Sequence, residues 1–371
     1  MTPWKAAKPG DQVHDIDTPA LVLDLDAFER NLTLMAKALA GSGVRLRPHA
    51  KSHKCPEIAR RQIAHGAIGI CCQKVSEAAC FVENGIEDIL ITNQVVGTTK
   101  LNHLAALAKT SKIGVLVDHI DQVTSLAKAA QAQRVSLDVY IEIDVGMGRC
   151  GVAPGEGAVA LAKAIDSCPG LNFAGLQCYH GSAQHFRSPQ QRFQAIRAAA
   201  EAATLSRRCI EEAGMTVPII TGAGTGSFVH ERDSGVYGEV QAGSYIFMDR
   251  DYADNHRAPG DPVFEHALFV LTSVMSVNQP GKVVVDAGLK ASSVDSGMPG
   301  VWDKEGFQYI KASDEHGVVS VPTDIAVSMG EQLWLIPGHC DPTVNLYDEL
   351  ICIRNGMVEA VWPIAARGAV L

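Results

Sequence analysis

IGVLV (Ile113–Val117), DHIDQVTSLAKAAQAQRVS (Asp118–Ser136) and LDVYIEI (Leu137–Ile143) follow one another without a break. The two outer runs are β-branched and short, as strands are. In the middle run Val123, Leu126, Ala127 and Ala130 recur at helical spacing, so Asp121–Ala132 is expected to be a helix with one apolar face. A strand, a helix and a second strand in this order form the unit of a parallel sheet.

The unit repeats in both directions along the chain. Strand-like runs occur at Ala20–Leu25, Val44–Arg47, Ala67–Cys72, Ile89–Thr92, Phe173–Tyr179, Val217–Thr221 and Glu239–Gln241. Helical spacing fills Glu57–His65, Ser76–Asn84 and Pro189–Ala213. About eight repeats predict an α/β fold, a TIM-type (β/α)8 barrel, over residues 24–262. With the central pair this makes nine runs, one too many, and Ala20–Leu25 is expected to belong partly to another domain.

Beyond Arg250 the pattern changes. Runs at Ala267–Val277, Lys282–Val285, Asp324–Val327, Gln332–Ile336, Glu349–Arg354 and Met357–Trp362 are separated by turns and not by helices. Asn355-Gly356 is a strong hairpin signal. These runs predict a C-terminal antiparallel β domain made of residues 263–371 with residues 1–23, joined to the barrel through 251–263.

With 371 residues and 47% hydrophobic residues, the chain has material for a large barrel core and a smaller domain. The net charge of −9, with basic residues scattered, leaves nucleic acid without a binding stripe. No apolar run approaches the ~18 residues of a membrane span. The start, Met1 to Lys5, lacks the apolar core of a signal peptide, so a cytoplasmic location is expected. Ten cysteines without regular spacing read as free thiols.

Four motifs carry chemistry. Arg47-Pro48-His49-Ala50-Lys51-Ser52-His53-Lys54 follows a strand, at the barrel end where active sites lie. Lys51 there could form a Schiff base with an aldehyde cofactor, its pKa lowered by Arg47, His49, His53 and Lys54. Asp144-Val145-Gly146-Met147-Gly148-Arg149-Cys150-Gly151 combines glycines for close backbone approach with Arg149 as a donor. Thr221-Gly222-Ala223-Gly224-Thr225-Gly226-Ser227 opens a short helix and suits a phosphate. In Pro337-Gly338-His339-Cys340-Asp341-Pro342, an extended backbone would turn His339 and Asp341 to one side, as a divalent-metal pair, with Cys340 away. Each stretch taken singly could equally be a polar or glycine-rich turn.

Together and in this order, the four motifs resemble the D-threonine aldolase and D-serine dehydratase group of alanine-racemase-like enzymes. The resemblance runs from Asp17-Thr18-Pro19-Ala20 to the motif at His339. It implies pyridoxal phosphate as cofactor, with Lys51 as its Schiff-base lysine. It implies further cofactor contacts from Gln73, Arg149, Tyr179, Gly224, Thr225 and Tyr245. It makes His339 and Asp341 the ligands of a divalent metal, Mn²⁺ ahead of Mg²⁺, Co²⁺ or Zn²⁺, and it implies a homodimer. The dehydratase branch shows His-x-Cys at the metal and the aldolase branch His-x-Asp; His339-Cys340-Asp341 follows the aldolase.

The expected reaction is reversible retro-aldol cleavage of D-threonine and related D-3-hydroxy amino acids to glycine and an aldehyde, with His185 as the base. A D-serine or D-threo-3-hydroxyaspartate dehydratase is the alternative. An amino-acid racemase would need a second acid–base tyrosine, for which the β domain offers Tyr309 and Tyr347. A non-catalytic pyridoxal-phosphate-binding protein is the remote reading.

Overall fold

The computed structural model describes residues 5–371. Met1–Trp4, which open the expected 1–23 segment and the reading of the N-terminus, lie outside the described residues.

Eight parallel strands form one sheet: Arg45–Leu46, Ile70–Cys72, Asp88–Gln94, Lys112–Val117, Leu137–Glu142, Leu171–Cys178, Ile220–Gly222 and Glu239–Val240. The first pairs with the last. On its other side the first segment meets Ile70–Cys72 through a parallel bridge between His49 and Cys71, which closes the ring. Helices Pro56–Ala64, Val75–Glu83, Thr98–Leu107, Ile120–Gln133, Glu156–Asp166 and Pro189–Glu212 surround it. Their buried residues and the strands make one core, with Val115, Ile141, Leu126 and Ala162 among its members. The helix read between Ile113 and Ile143 is capped by the His119 side chain and ends on Arg134 in the left-handed conformation.

The ninth run, Ala20–Asp24, sits in the other sheet. It pairs antiparallel with Leu268–Gln279 and parallel with Glu349–Arg354. That sheet is therefore antiparallel except for one pair, because its central strand comes from the far end of the chain. Asp24 then caps the helix Leu25–Leu39 by accepting from the Ala27 amide at 3.0 Å. Leu25, Phe28, Leu32, Met35 and Leu39 form its buried stripe. The stripe shares a core with Leu21, Val270, Leu333 and Trp362, and this common core fixes the second sheet against the barrel.

Two local expectations are corrected. Asp324–Val327 is not a strand: it lies in irregular, mostly exposed chain after Pro322, which lacks a ladder donor, and Asp324 and Ile325 are both exposed, leaving no buried face. Gly300–Val301, Gln308–Ala312 and Gly317–Ser320 are strands that the reading passed over, being only two to five residues long. The tail returns to the barrel, where Ala366 N donates to Lys54 O and Ser76 Oγ to Leu371 O.

Candidate active site

The C-terminal ends of the barrel strands open into a cavity of about 340 Å³. Lys51, Gln73, Arg149, Tyr179, Gly224 and Thr225 all line it, together with His49, Thr92, Gln177, Gln241 and Tyr252. All but Tyr252 come from the ends of seven different strands, which only ring closure brings to one place.

Lys51 lies in the helical turn Ala50–Ser52. His49 Nδ1 accepts from the Lys51 amide at 3.2 Å, so its proton is on Nε2, which donates to Gln73 Oε1 at 3.1 Å and Thr92 Oγ1 at 2.9 Å. Burial and the Lys51 charge hold the His49 pKa down at about 3. Lys51 Nζ hydrogen-bonds Asp341 Oδ2. Burial pulls the Lys51 pKa down, but Asp341 and Tyr179 outweigh it and the net shift is upward. The expected ring of cations around Lys51 is thus corrected. Arg47 is taken by Asp88 at 2.5 Å and Glu239 at 3.1 Å, and Lys54 by Glu77 at 2.9 Å. His53 is kept neutral, at about 3, by burial.

Arg149 stands with its guanidinium carbon 5.9 Å from the centroid of Tyr179. The glycines beside it approach the protein's own backbone: Asp144 Oδ1 accepts the Gly146 and Gly148 amides, each at 3.0 Å, and a Cβ on Gly151 would lie 2.6 Å from Asp144 N. Across the cavity, Gln184 Oε1 accepts the Gly226 amide at 3.0 Å and Gln184 Nε2 donates to Ser227 Oγ at 2.6 Å. The loop is held from below, and the Gly224 and Thr225 amides have no partner among the described residues. Thr225 Oγ1 is buried and unpartnered as well. Unmatched donors beside an amine-bearing cavity fit a phosphate-carrying aldehyde such as pyridoxal phosphate.

His339 and Asp341 do converge, with Nε2 and Oδ1 3.9 Å apart, but not by strand alternation. His339 is extended (φ −145°, ψ 126°) and caps the helical turn Cys340–Val344, which contains Asp341. The change from extended to helical backbone turns the two side chains together, while Cys340 is fully buried against Met248 O. His339 Nδ1 is bonded to Asp295 Oδ2 at 2.8 Å, which leaves Nε2 free for a cation. Asp341 Oδ1 is buried without a hydrogen-bond partner. An orphaned carboxylate oxygen beside an imidazole nitrogen fits a divalent cation. Among the described residues no third His, Cys, Asp or Glu completes a cage.

His185 is outside the cavity wall but next to it: its ring stacks on Tyr252, which lines the cavity, with centroids 6.2 Å apart. Its Nδ1 is held by Asp251 Oδ2 at 2.5 Å, and Arg187 grips the other oxygen of Asp251 at 2.5 Å. Tyr245 is not brought to the cavity. It is fully buried, accepts from Gln62 at 3.3 Å and packs on Phe264. Tyr309 and Tyr347 each donate to a backbone carbonyl, of Ala287 and Ala291, and neither lines the cavity.

Sequence reasoning missed Asp249, Asp251 and Asp295. Asp249 ahead of Arg250-Asp251-Tyr252-Ala253 carries a helix-capping signal that could have been found. The other two have no local signal.

Comparison with known proteins agrees with this arrangement. The family described as "Alanine racemase, N-terminal domain" matches residues 23–251, and "Putative serine dehydratase domain" matches 267–353. A D-threonine aldolase of Arthrobacter sp is 49% identical over 98% of this chain and 96% of its own length. A 3-hydroxy-D-aspartate aldolase of Paracoccus denitrificans (strain Pd 1222) is 45% identical over 98% of this chain and 95% of its own. The crystal structure of D-threonine aldolase from Filomicrobium marinum superposes with a TM-score of 0.97 at 48% identity, covering 99% of this chain and all of that one.

Proposed function

This chain belongs to the D-threonine aldolase group of the alanine-racemase-like family, and from that premise we infer a carbon–carbon lyase. It cleaves D-threonine and related D-3-hydroxy amino acids to glycine and an aldehyde, reversibly. The observation that carries the reading is the meeting of the cavity-lining barrel lysine with a His/Asp pair from the second domain. The dehydratases are more distant relatives, and the position of Asp341, two residues after His339, favours the aldolase over them.

Lys51 supplies the amine that holds pyridoxal phosphate covalently, and His339 with Asp341 would hold the divalent cation. When bound, the first supplies an electron sink and the second Lewis acidity. Arg149, Tyr179 and His49, the last oriented by Gln73, line the cavity that would hold the ring, and the Gly224 and Thr225 amides with the Thr225 hydroxyl would receive the phosphate. His185, turned by Asp251, takes the proton from the substrate 3-hydroxyl oxygen. With that proton gone, the oxygen becomes the carbonyl of the departing aldehyde as the Cα–Cβ bond breaks. Proton return to Cα gives glycine.

Mn²⁺ as the metal, a homodimer with the β domain of one subunit near the barrel of the other, and a cytoplasmic location extend the same reading. Family resemblance supports the first two. No helix among the described residues is long and apolar enough to cross a membrane.

Product analysis with D-threonine is the test. Acetaldehyde with glycine supports the aldolase; 2-oxobutanoate with ammonia would replace it by the dehydratase.

A further inference from the structure

Asp249 is fully buried, and each of its oxygens accepts an amide from a different turn. Oδ1 takes Tyr252 N at 3.0 Å and so caps the helical turn Arg250–Ala253, which carries Asp251 toward His185 and Tyr252 into the cavity wall. Oδ2 takes Cys340 N at 3.0 Å, the amide between His339 and Asp341. Two backbone bonds run alongside, Arg250 N to Pro337 O at 3.0 Å and Asp251 N to Gly338 O at 3.3 Å. The preceding residue, Met248, has φ +49°, a conformation that a side chain resists and that surrounding bonds must hold. One carboxylate therefore ties the turn bearing the His/Asp pair to the barrel segment supporting the base.

We propose that Asp249 is a positioning residue for the cation site. It touches no reactant; it fixes the Cys340 amide, and through it the angle at which His339 and Asp341 converge in front of Lys51. The inference rests on the reading that these two residues hold the divalent ion.

The test is Mn²⁺ titration of the pyridoxal-phosphate-loaded protein, with free Mn²⁺ followed by electron paramagnetic resonance. Three variants and one control are compared with the unaltered chain. Asp249→Asn presents an N–H where one amide needs an acceptor. Cys340→Pro deletes the amide donor, at a first helical position and after an extended residue, both of which accept proline, and Cys340→Ala, which removes the buried thiol but keeps the amide, is its control. Asp341→Asn removes a ligand directly. Mn²⁺ affinity should fall about 10–100-fold in the first two variants, with cofactor absorbance retained, and be lost in the third. Should Asp249→Asn and Cys340→Pro fold and bind Mn²⁺ within twofold of the unaltered chain while Asp341→Asn does not, the positioning role is wrong and the metal pair stands. Full binding by Asp341→Asn would overturn the metal pair itself, and the inference with it. A purely structural Asp249 would lower the metal-free melting temperature and leave the titration unchanged.

Discussion

Lys51 Nζ hydrogen-bonds Asp341 Oδ2 across 290 residues of chain, so the amine of the barrel and the carboxylate of the second sheet share one site. Among the described residues neither side chain has another hydrogen-bond partner, and each is placed by a short helical turn. The chemistry therefore depends on the packing between the two sheets as much as on either residue.

Lys51→Ala should abolish turnover and leave no cofactor fixed to the chain by borohydride. Mass spectrometry of peptides from the reduced protein checks this. The unaltered chain should carry the label on Lys51; a label on another lysine, or none, would remove the proposed electron sink.

His185 is held above its ordinary pKa chiefly by its hydrogen bond to Asp251, against burial and Arg187. A base works unprotonated, so activity should fall as pH drops through that raised value. Asp251→Asn removes the carboxylate, which lowers the pKa and moves the acid limb of kcat/KM to lower pH. His185→Ala should reduce kcat about 10²–10⁴-fold with cofactor still bound. An acid limb unmoved by Asp251→Asn would mean that another group titrates there.

Chelation should stop turnover, and added Mn²⁺ should restore it. Asp295→Asn loses the negative acceptor on His339 Nδ1, and metal affinity should drop about 10–100-fold. Turnover that survives exhaustive chelation would rule out the cation.

Gly226→Ala puts a Cβ 2.6 Å from Gln184 O, a backbone atom that cannot step aside. The overlap should cost on the order of 1–3 kcal/mol and weaken retention of pyridoxal phosphate on dialysis. Gly157→Ala is the contrast: it lies in the helix Glu156–Asp166, its Cβ would meet Val152 at an ordinary 3.5 Å, and it should add about 0.5–1 kcal/mol. Thermal melting of both variants separates loop damage from a general effect.

The amino-acid sequence by itself determined the alternation of strand and helix, because the spacing of apolar residues is a local property that survives any arrangement of the elements. It also placed Lys51, Gln73, Arg149, Tyr179, Gly224 and Thr225 at strand ends, and ring closure turned those positions into one cavity wall. Tertiary structure alone decided where side chains go once elements pack. Tyr245 disappears into the core beside Phe264, and Lys51 meets a carboxylate in place of the expected cations. Asp249, Asp251 and Asp295 gain their roles from amides and imidazoles 44 or more residues distant. A hydrogen bond depends on where both partners lie in space, and chain spacing records only one of them.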